Sequence, residues 1–246
     1  MSELADRESA VTIARDGSAV GEVALSRRGS VIELIVGGAF VMDTVDVSTE
    51  VELASGALAR HLAPRRVLVG GLGLGFTAQA VLGDRRVEEV VVVEAAGPLV
   101  EWAGADLLPT DLRDPRLRFE VADVAGTLAR SRREWDVILL DVDNGPGFLV
   151  HPSNAELYSV SGVRAAYQAL APGGVLAIWS SHRAPELAAL LREVSRCEGG
   201  GEVEESVRMI ERQERELEYA IYLLTRAHSR PTAPGVTDLA PSPLPE

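Results

Sequence analysis

Cysteine is nearly missing: Cys197 stands alone among 246 residues. A lone thiol closes no intramolecular disulfide and builds no cysteine-based metal cluster, so a reducing compartment is expected. Positive charge is scarce as well, with 24 Lys and Arg against 37 Asp and Glu and a formal net charge of −13. A nucleic-acid backbone or an anionic membrane needs a basic patch to displace counterions, so neither is expected as a partner. A neutral or cationic small molecule is easier to accommodate. No apolar run approaches the roughly 20 residues that span a bilayer, no basic-then-apolar segment opens the chain, and no internal repeat is present. Together these absences predict a cytoplasmic location.

The residues that are present, 46% of them hydrophobic, suffice for one sizeable core with a small appendage. From Val11 to Val41, short β-rich stretches (Val11 to Ala14, Val20 to Leu25, Val31 to Val36) alternate with turn signals at Asp16-Gly17, Gly29 and Gly37-Gly38. This predicts a small antiparallel unit within residues 1–48. Ser48 or Thr49 can cap a helix through Leu53, Leu58 and Leu62 that stops before Pro64. Beyond it, apolar runs of strand length alternate with helical segments: Val67 to Val69, Val90 to Val93, Leu117 to Val121, Val137 to Leu140 and Val175 to Trp179. Continuous apolar runs mean strands buried on both faces, as in a parallel sheet covered by helices. Val203 to Ile210 and Leu217 to Leu224 are close enough to pair as a closing antiparallel hairpin. The fold class is therefore α/β, with a mostly parallel seven-stranded sheet over residues 49–228. The Pro- and Ser-rich stretch 229–246 is expected to be a disordered tail.

Chemistry concentrates where these strands end. Val67-Leu-Val-Gly-Gly-Leu-Gly-Leu-Gly75 runs a buried strand into glycines and then a helix. Glycines admit a ligand close to the backbone, and the helix N-terminus offers free N–H groups, which singles out Gly71, Gly73 and Gly75. About twenty residues on, Glu94 ends the next strand, where nucleotide-binding α/β folds hold ribose hydroxyls. Asp123 ends the third, either to receive an adenine amine or to cap the following helix. The fourth strand, from Trp135, emerges into Asp141 and Asp143, followed by Asn144-Gly-Pro-Gly147. A carboxylate there can deprotonate an attacking amine or hydroxyl and stabilise a cation, so Asp141 and Asp143 are the catalytic candidates. Asn144, His151 and Tyr158 are the substrate-binding candidates, although His151 can equally be a hydrogen-bonded structural residue. No grouping of His and carboxylates has metal-ligand spacing, and no metal is expected.

The glycine turn, Glu94, Asp114-Pro-Arg116, Asp123, the strand Trp135 to Leu140, the Asp141 loop with Gly145-Pro146, Glu156-Leu-Tyr158 and Pro172-Gly-Gly174 occur in one order. In that order the chain, over roughly Val31 to Trp179, resembles the polyamine (spermidine/spermine) synthases. The resemblance implies a Rossmann-like class I methyltransferase fold. It further implies S-adenosylmethionine or its decarboxylated form as cofactor, with Glu94 on the ribose, Asp123 on the adenine amine and Asp141 beside the nucleophile. It implies aminopropyl-type transfer to a small amine or other nucleophile, hence polyamine biosynthesis, and a homodimer joined through N-terminal strands. Three departures stand out. Leu74 replaces the family's glycine-turn aspartate, Asn144 replaces the second acid of its Asp-x-x-Asp loop, and its conserved tyrosine falls near Ser55. Asp43, Asp46, Glu50 or Asp143 are the acids available to compensate. Two alternatives stay open: a methyltransferase that accepts intact S-adenosylmethionine, and a non-catalytic nucleoside-binding module. A nicotinamide-dependent oxidoreductase would share the glycine turn and strand-end acid, but the Asp141 loop and terminal hairpin argue against it.

Overall fold

The computed structural model describes residues 10–228 apart from 143, 150, 213 and 214, and for 210–212 and 215–217 it describes the backbone alone. The expectations for Asp143 and for the tail at 229–246 lie outside the described residues. Four antiparallel strands come first, β1 (Val11–Ser18), β2 (Gly21–Arg28), β3 (Val31–Val36) and β4 (Ala39–Asp43), paired in that order. Alternation along β2 and β3 buries Val23, Leu25, Leu34 and Val36, and all four join the same core cluster as the residues beneath the larger sheet. The N-terminal unit therefore has no separate core.

Helix α1 (Ser48–Ala59) follows, and its ends differ from expectation. Val47 is the N-cap residue and provides no side-chain cap; Asp46 Oδ1 instead accepts the Ser48 N–H at 2.9 Å. The Thr49 hydroxyl is engaged elsewhere, as described below. The helix stops at Ala59, so Leu62 lies outside it and is 95% exposed.

The remaining elements are β5 (Arg66–Gly70), α2 (Phe76–Leu82), β6 (Glu89–Glu94), α3 (Gly97–Gly104), β7 (Leu117–Val121), α4 (Val124–Arg130), β8 (Trp135–Leu140), a 3-10 segment (Pro152–Tyr158), α5 (Val160–Ala169), β9 (Leu170–Ser180), α6 (Pro185–Glu198), β10 (Gly201–Arg212) and β11 (Arg215–Arg226). The sheet order is β10-β11-β9-β8-β5-β6-β7. Strands β7, β6, β5, β8 and β9 are parallel, and β11 runs antiparallel to both β9 and β10.

The period-2 geometry of a strand explains why the apolar runs are unbroken. Val67, Val69, Val137, Leu139, Val175 and Ala177 face α1, α2 and α3, whereas Leu68, Ile138, Leu140, Leu176 and Ile178 face α4, α5 and α6. Both faces are covered, so neither parity of residue can be polar. Helix α6 shows the complementary logic: Pro185 fits its first turn, and Leu187, Leu191 and Val194 form the stripe it buries. Among the described residues no helix is long and apolar enough to cross a membrane.

The chain leaves β5 toward β6 on one side, while β8 pairs with β5 on the other. This reversal opens a crevice at the carboxyl ends of β5 and β8, which is where open parallel sheets bind ligands. Ile138, fully buried in the second cluster, measures how far the fold depends on these packed strands. Ile138→Ala should cost about 2–5 kcal/mol in urea unfolding, whereas Leu62→Ala should stay within about 0.5 kcal/mol of wild type.

Candidate active site

The crevice exists because two strand tips come unusually close. The Asp141 N–H donates to the Gly70 carbonyl at 2.9 Å, and the Gly71 N–H donates to Val93 O at 2.9 Å. Gly71 sits at φ 90°, and a Cβ there would collide with the Asp141 carbonyl. Glycine is thus required for β8 to deliver Asp141 beside the turn. Gly73 makes room in the other direction: a Cβ would lie 2.8 Å from Met42 Sδ, the same sulfur that accepts the Leu74 N–H at 3.3 Å. Through Met42, β4 docks on the glycine turn.

Glu94 organises that turn with both carboxylate oxygens. Oε2 accepts the Leu72 N–H at 2.8 Å and Oε1 accepts the Ala96 N–H at 2.7 Å. Burial pushes its pKa up, and the backbone N–H bonds to Ala96, Leu72 and Ala95 work against that shift. Asp123 is exposed and performs the capping role, its Oδ1 accepting the Ala125 N–H at 2.9 Å, which leaves Oδ2 for a ligand.

Asp141 accepts a hydrogen bond from the Thr77 hydroxyl at 2.6 Å, and burial raises its pKa in spite of that bond. Glu50, in the first turn of α1 and only 8% exposed, accepts from Thr49 Oγ1 at 2.7 Å. Its pKa is pushed up to about 7, first by burial and then by the negative charge of Asp141. Two buried acids that raise each other's cost of ionisation are a potential proton store.

One cavity of about 440 Å³ collects these groups: Gly71, Gly73, Glu94, Asp123, Asp141, Asn144 and His151 all line it, as does Glu50. No described residue of its lining is an arginine, and the chain contains no lysine at all. Asn144 is anchored through its backbone, its carbonyl accepting from Ser181 N–H at 3.2 Å and from Ser181 Oγ at 2.6 Å. His151 lies 2.7 Å from Ser153 Oγ through Nδ1 and caps the 3-10 segment. Two expected site residues stand apart. Gly75 is the N-cap of α2 and packs on Thr110 and Leu112, away from the cavity. Tyr158 ends the 3-10 segment and packs against the core on the α4–α6 side. Ser55 is exposed, and Leu74, at 0% exposure, points into the core. Neither lines the cavity. Among the described residues no three His, Cys, Asp or Glu side chains gather into a metal-holding group.

Three further parts went unnamed as site residues in the sequence analysis. Thr77 reads as an ordinary first-turn residue of α2, yet it holds Asp141. Trp179, at the end of β9, lines the cavity, and its indole N–H is buried without a partner among the described residues. The apolar wall of Val20, Leu34, Val36, Val41 and Met42 comes from the N-terminal sheet. Only β-alternation, which marks inward positions without saying what they face, hinted at it.

No protein-family profile matches the chain. It is 31% identical over 150 residues to the polyamine aminopropyltransferase of Thermotoga neapolitana, covering 57% of this chain and 49% of that protein. It is 39% identical over 93 residues to the polyamine aminopropyltransferase of a Synechococcus species, covering 35% of this chain and 30% of that protein. The chain therefore spans about half the length of the curated relatives it matches. Among solved structures, a spermidine synthase in complex with the transition-state analogue AdoDATO superimposes with a TM-score of 0.73 at 20% identity, over 88% of this chain and 74% of that one. The chain thus has the Rossmann-like class I methyltransferase fold that the resemblance implied, and its sequence is similar to the polyamine aminopropyltransferases.

The buried acids give stability a pH dependence. Glu50 and Asp141 bind protons more tightly folded than unfolded, so their contribution to stability is fully present below the ordinary carboxylate range and is lost as pH rises, for Glu50 up to about 7. Glu50 alone accounts for about 3 kcal/mol of that loss. Urea unfolding at pH 5 and pH 8 should show it in wild type and a much flatter response in Glu50→Gln; an equally steep variant would remove Glu50 from the account.

Proposed function

We propose that the chain is an aminopropyltransferase-type enzyme that alkylates a small amine from decarboxylated S-adenosylmethionine. The observation that carries this reading is the gathering of Asp141, Glu50, Glu94 and Asp123 with the glycine turn around one cavity that no described arginine lines.

The residues present fit such a group. Gly71 and Gly73 let the backbone approach a nucleoside, and the Glu94 carboxylate, which accepts the N–H groups of Leu72, Ala96 and Ala95, retains a lone pair for a ribose hydroxyl. Asp123 Oδ2 is available to an exocyclic adenine amine, and the two acids at the far side suit a sulfonium flanked by an alkylammonium. When bound, decarboxylated S-adenosylmethionine supplies an alkyl carbon activated by its sulfonium, which passes to nitrogen with loss of a neutral thioether. Asp141 takes the proton that the attacking amine sheds. Its raised pKa makes it a stronger base than an exposed carboxylate, and Thr77 holds it in one orientation. The apolar wall from the N-terminal sheet excludes water and positions the acceptor, so proximity supplies part of the acceleration.

One observation favours a second reading. With Leu74 in the core, the glycine turn carries no acid to repel the carboxylate of intact S-adenosylmethionine, as a methyltransferase would require. Glu50 opposes it, because a ligand carboxylate near Asp141 would meet two acids rather than one. Calorimetric titration with decarboxylated S-adenosylmethionine, S-adenosylmethionine and NAD separates these readings and the oxidoreductase one. Mass spectrometry of the product then distinguishes an aminopropyl from a methyl increment. Tightest binding of the decarboxylated form is expected, and tightest binding of NAD would end the proposal. Asp141→Asn should lower turnover at least a thousandfold while leaving the affinity for 5′-methylthioadenosine within a few-fold. Full turnover in that variant would show that Asp141 is not the base, and no turnover in wild type with any small amine would leave a binding module.

A further inference from the structure

Among the described acids that line the cavity, Glu50 alone comes from neither the parallel strands nor their loops. It sits on α1, 8% exposed, and lines the same cavity as Asp141. Neutral donors hold both acids: Glu50 accepts from the Thr49 hydroxyl at 2.7 Å and from its own backbone N–H, and Asp141 accepts from the Thr77 hydroxyl at 2.6 Å. Hydroxyl donors fix the carboxylates without neutralising them. Among the described residues no arginine or histidine forms an ion pair with either, and lysine does not occur in the chain. The other described acids of the cavity already hold backbone N–H groups, Glu94 those of Leu72 and Ala96 and Asp123 that of Ala125. Trp179 lines the same cavity, and among the described residues none accepts its buried indole N–H. A carboxylate pair buried with no internal cation is costly unless a ligand provides one.

We infer that Glu50 is a specificity-determining residue: with Asp141 it forms the receptor for one primary ammonium group of a ligand, supplied from α1 in a site whose glycine turn carries Leu74. The inference rests on the function proposed above. It makes the pair a filter, because an ammonium satisfies both acids while a carboxylate in the same place is repelled by both. The chemistry is shared by two sources, the aminopropyl end of the alkyl donor and the amine of the acceptor.

Titration calorimetry on the full chain tells these apart, with four probes: 5′-methylthioadenosine, decarboxylated S-adenosylmethionine, intact S-adenosylmethionine, and 1,4-diaminobutane added to protein saturated with 5′-methylthioadenosine. In wild type the decarboxylated form should bind at least tenfold tighter than the intact one; equal or reversed affinities overturn the inference without recourse to any variant. In Glu50→Gln, 5′-methylthioadenosine should bind within twofold of wild type, while at least one ammonium-bearing probe weakens tenfold or more. Weakening of the decarboxylated donor identifies its aminopropyl end as the occupant, and weakening of the diamine alone identifies the acceptor. Glu50→Asp should recover part of the loss. Unchanged ammonium binding, or an equal loss for the neutral nucleoside, overturns the role of Glu50. If wild type binds no nucleoside probe at all, the proposed function has failed first and the inference falls with it.

Discussion

The site depends on the contact between the tips of β5 and β8. Gly71 has no side chain where the Asp141 carbonyl lies, and the Asp141 N–H closes on the Gly70 carbonyl. That contact sets the position of the Asp141 side chain, brings it within reach of Thr77 on α2, and faces it toward Glu50 on α1. A side chain at position 71 would push β8 outward and move the carboxylate with it. The glycine therefore serves the protein's own strand packing as well as any ligand.

The second constraint is electrostatic. Burying Glu50 beside Asp141 works against folding, since both groups would be more readily ionised in water. The packed layers on either side of the sheet offset the cost. Fully buried strands such as β8, with Val137, Ile138 and Leu139 each at 0% exposure, contribute on the order of 1.5–3 kcal/mol per large side chain. The rigid sheet holds the acids where solvent cannot fully relax them. The N-terminal sheet, tied to the glycine turn through Met42, completes the enclosure with an apolar wall.

Much of this was legible in the sequence because its causes are local. Unbroken valine and leucine runs marked strands covered on both faces, and glycines and acids at successive strand ends marked the crevice. Glu94, Asp123 and Asp141 could be named because each stands at its strand's end or within two residues of it. What could not be read were the consequences of distant chain segments meeting. Glu50 lies in a helix first turn, where an acid is ordinary, and nothing local shows that α1 carries it to β8. Thr77 and Trp179 acquire their positions in the same way. Gly75 is the opposite case: its spacing marks it as a ligand glycine, but Thr110 and Leu112 occupy the space beside it. The helix α1 ran short of Leu62, which is 95% exposed, and Asp46 rather than Ser48 or Thr49 accepts an N–H at its start.

The absence of lysine and arginine from the described lining has a chemical corollary. An electrophilic carbon held against these walls meets carboxylates, side-chain amides, a hydroxyl, the His151 imidazole, the Met42 thioether, an indole and hydrocarbon, but no amine belonging to the protein. The cavity can therefore shelter an alkylating agent without the enzyme alkylating its own nitrogen bases of the lysine type. Any primary amine that reacts in this cavity must arrive from solution.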